Sequence, residues 1–131
     1  MKPVRIVIAY GNPDLARSLR WLLEMRNTFQ VVGEAHAGEE AVDLVKQLNP
    51  DVVVVSLGLS SIDGFEVTRT IRSATPKVGV ILVTSLEPDH LQQKAADAGA
   101  LSLLPLDRLH ETIYEAVISA HEGRQFFPPN S

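Results

Sequence analysis

At 131 residues the chain has the length of one domain and can bury enough apolar surface to fold without staples. Its 45% apolar and 21% charged residues are the balance of an ordinary globular protein, and a net charge of −4 argues against a grip on nucleic acid by this chain alone. The lack of cysteine removes disulfides, thiolate zinc sites and thiol nucleophiles and fits a reducing cytoplasm, and no apolar run approaches the roughly 18 residues of a membrane span.

The N-terminal run VRIVIAY (Val4–Tyr10) is too short for a signal segment and reads as a strand. Asn12-Pro13 then supplies an N-cap and a proline at the first helical turn, and Leu15, Leu19, Leu22 and Leu23 recur at helical spacing. FQVVGEA (Phe29–Ala35) is a second strand, and Glu39–Leu48 a helix stopped before Pro50. DVVVVSL, from Asp51, is apolar at odd and even positions alike, the pattern of a strand covered on both faces. Ile62–Ser73 reads as a helix with Phe65, Val67 and Ile71, and Lys77–Ser85 as the fourth strand. Pro88 opens a helix that Gly99 caps, and Leu101–Leu104 is a short fifth strand. Asp107 is the expected cap of a last helix, with Leu109, Ile113, Ala116, Val117 and Ala120 inward. GRQFFPPNS follows as a tail. Five strands alternating with five helices predict an α/β fold, a five-stranded parallel sheet with helices on both faces. Ligand sites in such sheets lie at the carboxyl ends of the strands, where Tyr10, Gly11, Ser56, Thr84 and Ser85 fall.

The phrases VVGEAHAGEEAV, DVVVVSLGLSSIDG, VILVTS and AADAGALSLLP, in this order and spacing, make the chain resemble the receiver domain of bacterial response regulators from residue 3 to about 123. Within that family it is similar to the subfamily whose receiver precedes a LuxR-type helix-turn-helix domain. The resemblance implies a flavodoxin-like (βα)5 receiver fold for residues 1–123, with 124–131 a tail or the start of a linker. It also implies a phosphorylation site: an acidic pair after the first strand that helps hold Mg²⁺, an acceptor aspartate, a lysine after the fifth strand, a hydroxyl after the fourth and an aromatic on the fifth. On this sequence the acidic pair falls on Tyr10 and Gly11, the acceptor on Ser56, the lysine on Leu106 and the aromatic on Leu103. Only Thr84 matches. The expectation is an atypical receiver, a pseudo-receiver, that lacks nucleophile, metal ligands and phosphate cation together and takes no cofactor.

Other chemistry finds little support. A serine nucleophile at Ser56 needs a base in reach, and the rim offers only Tyr10, Thr84 and Ser85. The simpler expectation is a small polar residue hydrogen-bonded to Thr84. Asp14, Glu87, Asp51 and Asp63 are solvated charges by default, and no metal site is expected from them. His36, His90, His110 and His121 show no metal-binding spacing, and the glycines form no phosphate loop.

Two outward apolar residues point to contact with protein. Trp21 lies nearly opposite the Leu15/Leu19/Leu22 stripe of the first helix, and Ile118 nearly opposite the inward face of the last. With Tyr114 they are the interface candidates. The expected function is a cytoplasmic, non-enzymatic regulatory module acting through protein–protein contact, most simply a homodimer, without membrane contact and with DNA reached only through a C-terminal domain outside this chain. The alternative is a small-molecule sensor whose ligand sits among Tyr10, Gly11, Ser56 and Leu106.

Overall fold

The computed structural model describes residues 2–59 and 63–128. Five strands, β1 (Val4–Ala9), β2 (Phe29–Ala35), β3 (Val52–Ser56), β4 (Gly79–Thr84) and β5 (Ser102–Pro105), form one parallel sheet in the order β2-β1-β3-β4-β5. The helices are α1 (Pro13–Glu24), α2 (Gly38–Leu48), α3 (Gly64–Ala74), α4 (Gln92–Ala98) and α5 (Leu109–His121). Reversal of the strand order beside β1 opens a crevice at the carboxyl ends of β1 and β3, as the predicted fold requires.

Two cores cover the sheet. Ile6, Ile8, Val52, Val54, Ile81 and Leu104 face α1 and α5, while Val7, Val53, Val55, Leu82 and Leu103 face α2, α3 and α4. Val52 to Val55 are fully buried, because β3 is central and both its faces carry helices.

Local chemistry sets most boundaries. Asn12 caps α1, its Oδ1 accepting from the amides of Asp14 (2.9 Å) and Leu15 (3.3 Å). The inward stripe of α1 is Ala16, Leu19 and Leu23, three and four residues apart; Leu15, predicted inward, sits at the margin of that face and is exposed. Helix α3 begins at Gly64 because the Asp63 carboxylate accepts from the Glu66 amide at 2.9 Å; Ile62, where the pattern put its start, lies outside the described residues. The helix expected from Pro88 is in two parts. A 3-10 turn, Pro88–His90, is followed by Leu91 at φ −113° before α4 begins, and Gly99 closes α4 at φ 102°. Asp107 does not cap α5. It lies inside a 3-10 turn, Leu106–Arg108, and the helix starts without a side-chain cap. Within the stretch read as a tail, Phe126 and Phe127 pack on the cores.

Candidate functional site

The carboxyl rim gathers the residues that the sequence placed there. Ala9 and Val55 are register partners, so Tyr10 and Ser56 leave neighbouring strands side by side. Thr84 ends β4 opposite Pro105, one residue before Leu106. Leu103 lies one layer down, paired with Leu82 and 1% exposed.

Tyr10 is a core residue. It is 5% exposed and packs in the cluster that holds Ile6, Ile8, Leu104 and Leu109. Burial pushes its phenol up to about 12, so the group is neutral at ordinary pH and offers no anionic ligand. Its carbonyl oxygen lies 3.0 Å from Nδ1 of His36. A carbonyl only accepts, so Nδ1 carries the hydrogen and the exposed His36 ring ties the end of β2 to the end of β1. Gly11 is exposed at the mouth of the crevice. A Cβ there would stand 3.9 Å from the carbonyl oxygens of His36 and Gly58, ordinary contact. Packing therefore leaves room for a side chain at Gly11.

The two rim hydroxyls do not bond each other, contrary to the expectation for Ser56. Ser56 Oγ accepts from the Gly58 amide at 3.2 Å, and Thr84 Oγ1 accepts from the Leu86 amide at 3.0 Å. Each hydroxyl holds the first turn of its own loop, a local bond that competes with any longer reach. Ser56 also has no base among these partners.

Three of the four carboxylates considered as rescuers are engaged elsewhere, and the fourth, Glu87, lines the cleft after β4. Asp63 caps α3, Asp51 accepts from the Arg5 amide at the far end of the sheet, and Asp14 pairs with Arg17 at 3.6 Å on the surface. Among the described residues no three His, Asp or Glu side chains gather in a metal-binding cluster. Mg²⁺ takes hard oxygen donors, carboxylates above all. A neutral buried phenol, a glycine and a turn-bound serine do not fit it.

A cleft of about 550 Å³ opens between the loops after β4 and β5, lined by Ser85, Leu86, Glu87, Pro88, Pro105, Leu106, Asp107 and Arg108. Of the four residues expected around a ligand, only Leu106 reaches it; Tyr10 is sealed in the core and Gly11 and Ser56 open onto the crevice beside β1.

The described profile of the response regulator receiver domain matches residues 6–117. The chain belongs to that family. Over 126 residues it is 31% identical to the transcriptional regulatory protein LnrK of Bacillus subtilis (strain 168), covering 96% of this chain and 57% of that protein. It therefore spans little more than half of that relative's length. A LuxR-family two-component response regulator from Aurantimonas sp. SI85-9A1 superposes with TM-score 0.89 at 28% identity, over 95% of this chain and 89% of the other. The signal receiver domain of the putative response regulator NarL from Mycobacterium tuberculosis gives 0.88 at 27%, over 95% and 100%. This receiver thus has relatives in the LuxR/NarL-type group, and it shares their five-stranded fold.

The interface candidates lie on the receiver's α1 and α5. Trp21 is 69% exposed and Ile118 37%. Tyr114 is half-buried and already engaged: its hydroxyl donates to the Leu22 carbonyl at 2.6 Å, and its ring meets Phe29 and the Arg26 guanidinium. It fastens α5 to α1 from inside. Met25, 61% exposed, was missed by the sequence reading although it follows Trp21 by four residues and shares its face. Among the described residues no helix is long and apolar enough to cross a membrane.

Proposed function

We propose that this receiver is a non-phosphorylatable regulatory domain, a pseudo-receiver, that works in the cytoplasm by protein–protein contact, with homodimerisation its simplest form. By analogy with relatives named as transcriptional regulators, it would control transcription through a DNA-binding domain outside this chain. One observation carries the reading: the rim between β1 and β3 holds a buried neutral tyrosine, a glycine and a turn-bound serine. Phosphoryl transfer to a receiver needs a carboxylate nucleophile and a metal that offsets the charge on the moving group, and none of the three supplies either. The room at Gly11 supports it further, since packing does not account for the missing side chain.

The test is incubation with acetyl phosphate, or with beryllofluoride, in millimolar Mg²⁺. The mass and the melting temperature should both stay unchanged. A gain of one phosphoryl group at Ser56, or a rise of several degrees with Mg²⁺ that a monovalent salt does not reproduce, would overturn the reading.

A small-molecule role has the cleft beside Leu106 behind it and moves the expected ligand away from Tyr10, Gly11 and Ser56. It predicts that Leu106→Trp, which fills the cleft, abolishes any ligand-dependent shift in melting temperature.

A further inference from the structure

The chain after α5 closes the helix and turns back. Gly123 adopts φ 76°, and its amide donates to the Ala120 carbonyl at 3.0 Å while that of Arg124 donates to Ser119 at 2.8 Å. This pair of bonds ends a helix and reverses its direction, and the left-handed residue favours glycine. Two residues later the Phe126 amide donates to the Leu101 carbonyl at 2.8 Å, at the entry to β5. Strand β5 is the edge of the sheet, where backbone groups lack a neighbouring strand. Phe126 packs on the core beneath α1 and α5, and Phe127 on the core beneath α2, α3 and α4. The two rings straddle the edge. Pro128 follows and has no amide hydrogen, so the pairing is not continued there.

We propose that Phe126 and Phe127 form a releasable latch, which clasps the edge of β5 at the end of the sheet opposite the rim and so sets whether the segment after α5 is held or free. The latch needs neither phosphate nor metal, and it stands whether or not the rim is inert. One hydrogen bond and two half-buried rings are a small part of the fold's contacts, so the latch can open while the sheet stays intact. Opening it would bare the Leu101 carbonyl and two apolar sites, one on each side of β5. Output from the domain would then pass through the end of α5 rather than through the rim.

Amide hydrogen exchange on the 131-residue chain tests both halves of the idea. The Phe126 amide should exchange at least about tenfold more slowly than an unstructured amide, and at least about tenfold faster than that of Val54 in central β3. Exchange at the unstructured rate would show that there is no latch. Exchange at the Val54 rate would show that it opens only with the whole fold. As a second arm, the double variant Phe126→Ala/Phe127→Ala should be cut by trypsin after Arg124 about tenfold faster than the parent while keeping its far-ultraviolet dichroism. Equal cutting rates, or loss of the folded spectrum, would each overturn the proposal.

Discussion

Tyr10 shows how one residue separates this rim from a charged one. Its ring completes the layer of Ile6 and Ile8 on the α1/α5 side, so the position is filled by packing. The fold holds the phenol neutral, with its pKa raised to about 12 by burial. A raised pKa favours the protonated form in the folded state, so this contribution to stability is complete below pH 10 and is lost as the pH climbs through about 12. In an absorbance titration of the two tyrosines, at least one phenol should remain un-ionised at pH 11 while the dichroism is native. Full ionisation of both at that pH in folded protein would contradict the burial. The identities at Tyr10, Gly11, Ser56 and Leu106 were legible in the sequence, because strand ends in an alternating βα pattern locate a rim. The partners of the hydroxyls were not. A Ser or Thr at a strand end can bond across the sheet or to its own loop two residues on, and only the backbone path of residues 56–58 and 84–86 decides for the loop.

At the scale of elements, the reading succeeded where a cap or a period was strong. Asn12-Pro13 fixed the start of α1, and Phe29–Ala35 was predicted to the residue. Asn12→Ala removes the acceptor for two orphan amides and should cost about 1 kcal/mol. For a domain of this size that lowers the melting temperature by roughly 4 °C, which calorimetry would register. An unchanged melting temperature would mean that the cap is replaced by solvent. The reading failed where a single turn stood between a proline and a helix. Pro88 and Asp107 both carry the chemistry of a helix start, yet each belongs to a 3-10 turn of three residues ahead of the helix proper. Such a turn uses the same capping residues as an α-helix, so composition does not distinguish them. The docking of Phe126 was also hidden. Two aromatics in a polar, proline-ended stretch give no periodicity, and their place depends on the edge position of β5.

For the whole molecule, the rim and the α1/α5 face make separate claims. A receiver that phosphate does not shift must be held in one state, or be biased by something that binds its states unequally. Trp21 on α1, Met25 at its C-cap and Ile118 on α5 are the exposed apolar residues that the proposed homodimer would cover. A tryptophan at the centre of an interface costs about 2 kcal/mol or more when truncated, which is roughly a thirty-fold weaker dimer. On the proposed homodimer through this face, Trp21→Ala should shift the protein to monomer in sedimentation at micromolar concentration, with its fold kept, and Ile118→Glu should do the same. If both sediment like the parent, the surface around Ala96 on α4 becomes the next one to vary. The exposure of Trp21 has one more consequence. It is the chain's sole tryptophan, so the natural fluorophore sits on the outer skin and not in either core. Its emission in the separated protein belongs to a wet indole, and denaturant will change its colour little. What would move that colour toward the blue is another surface closing over it, so the light from this domain reports company rather than folding.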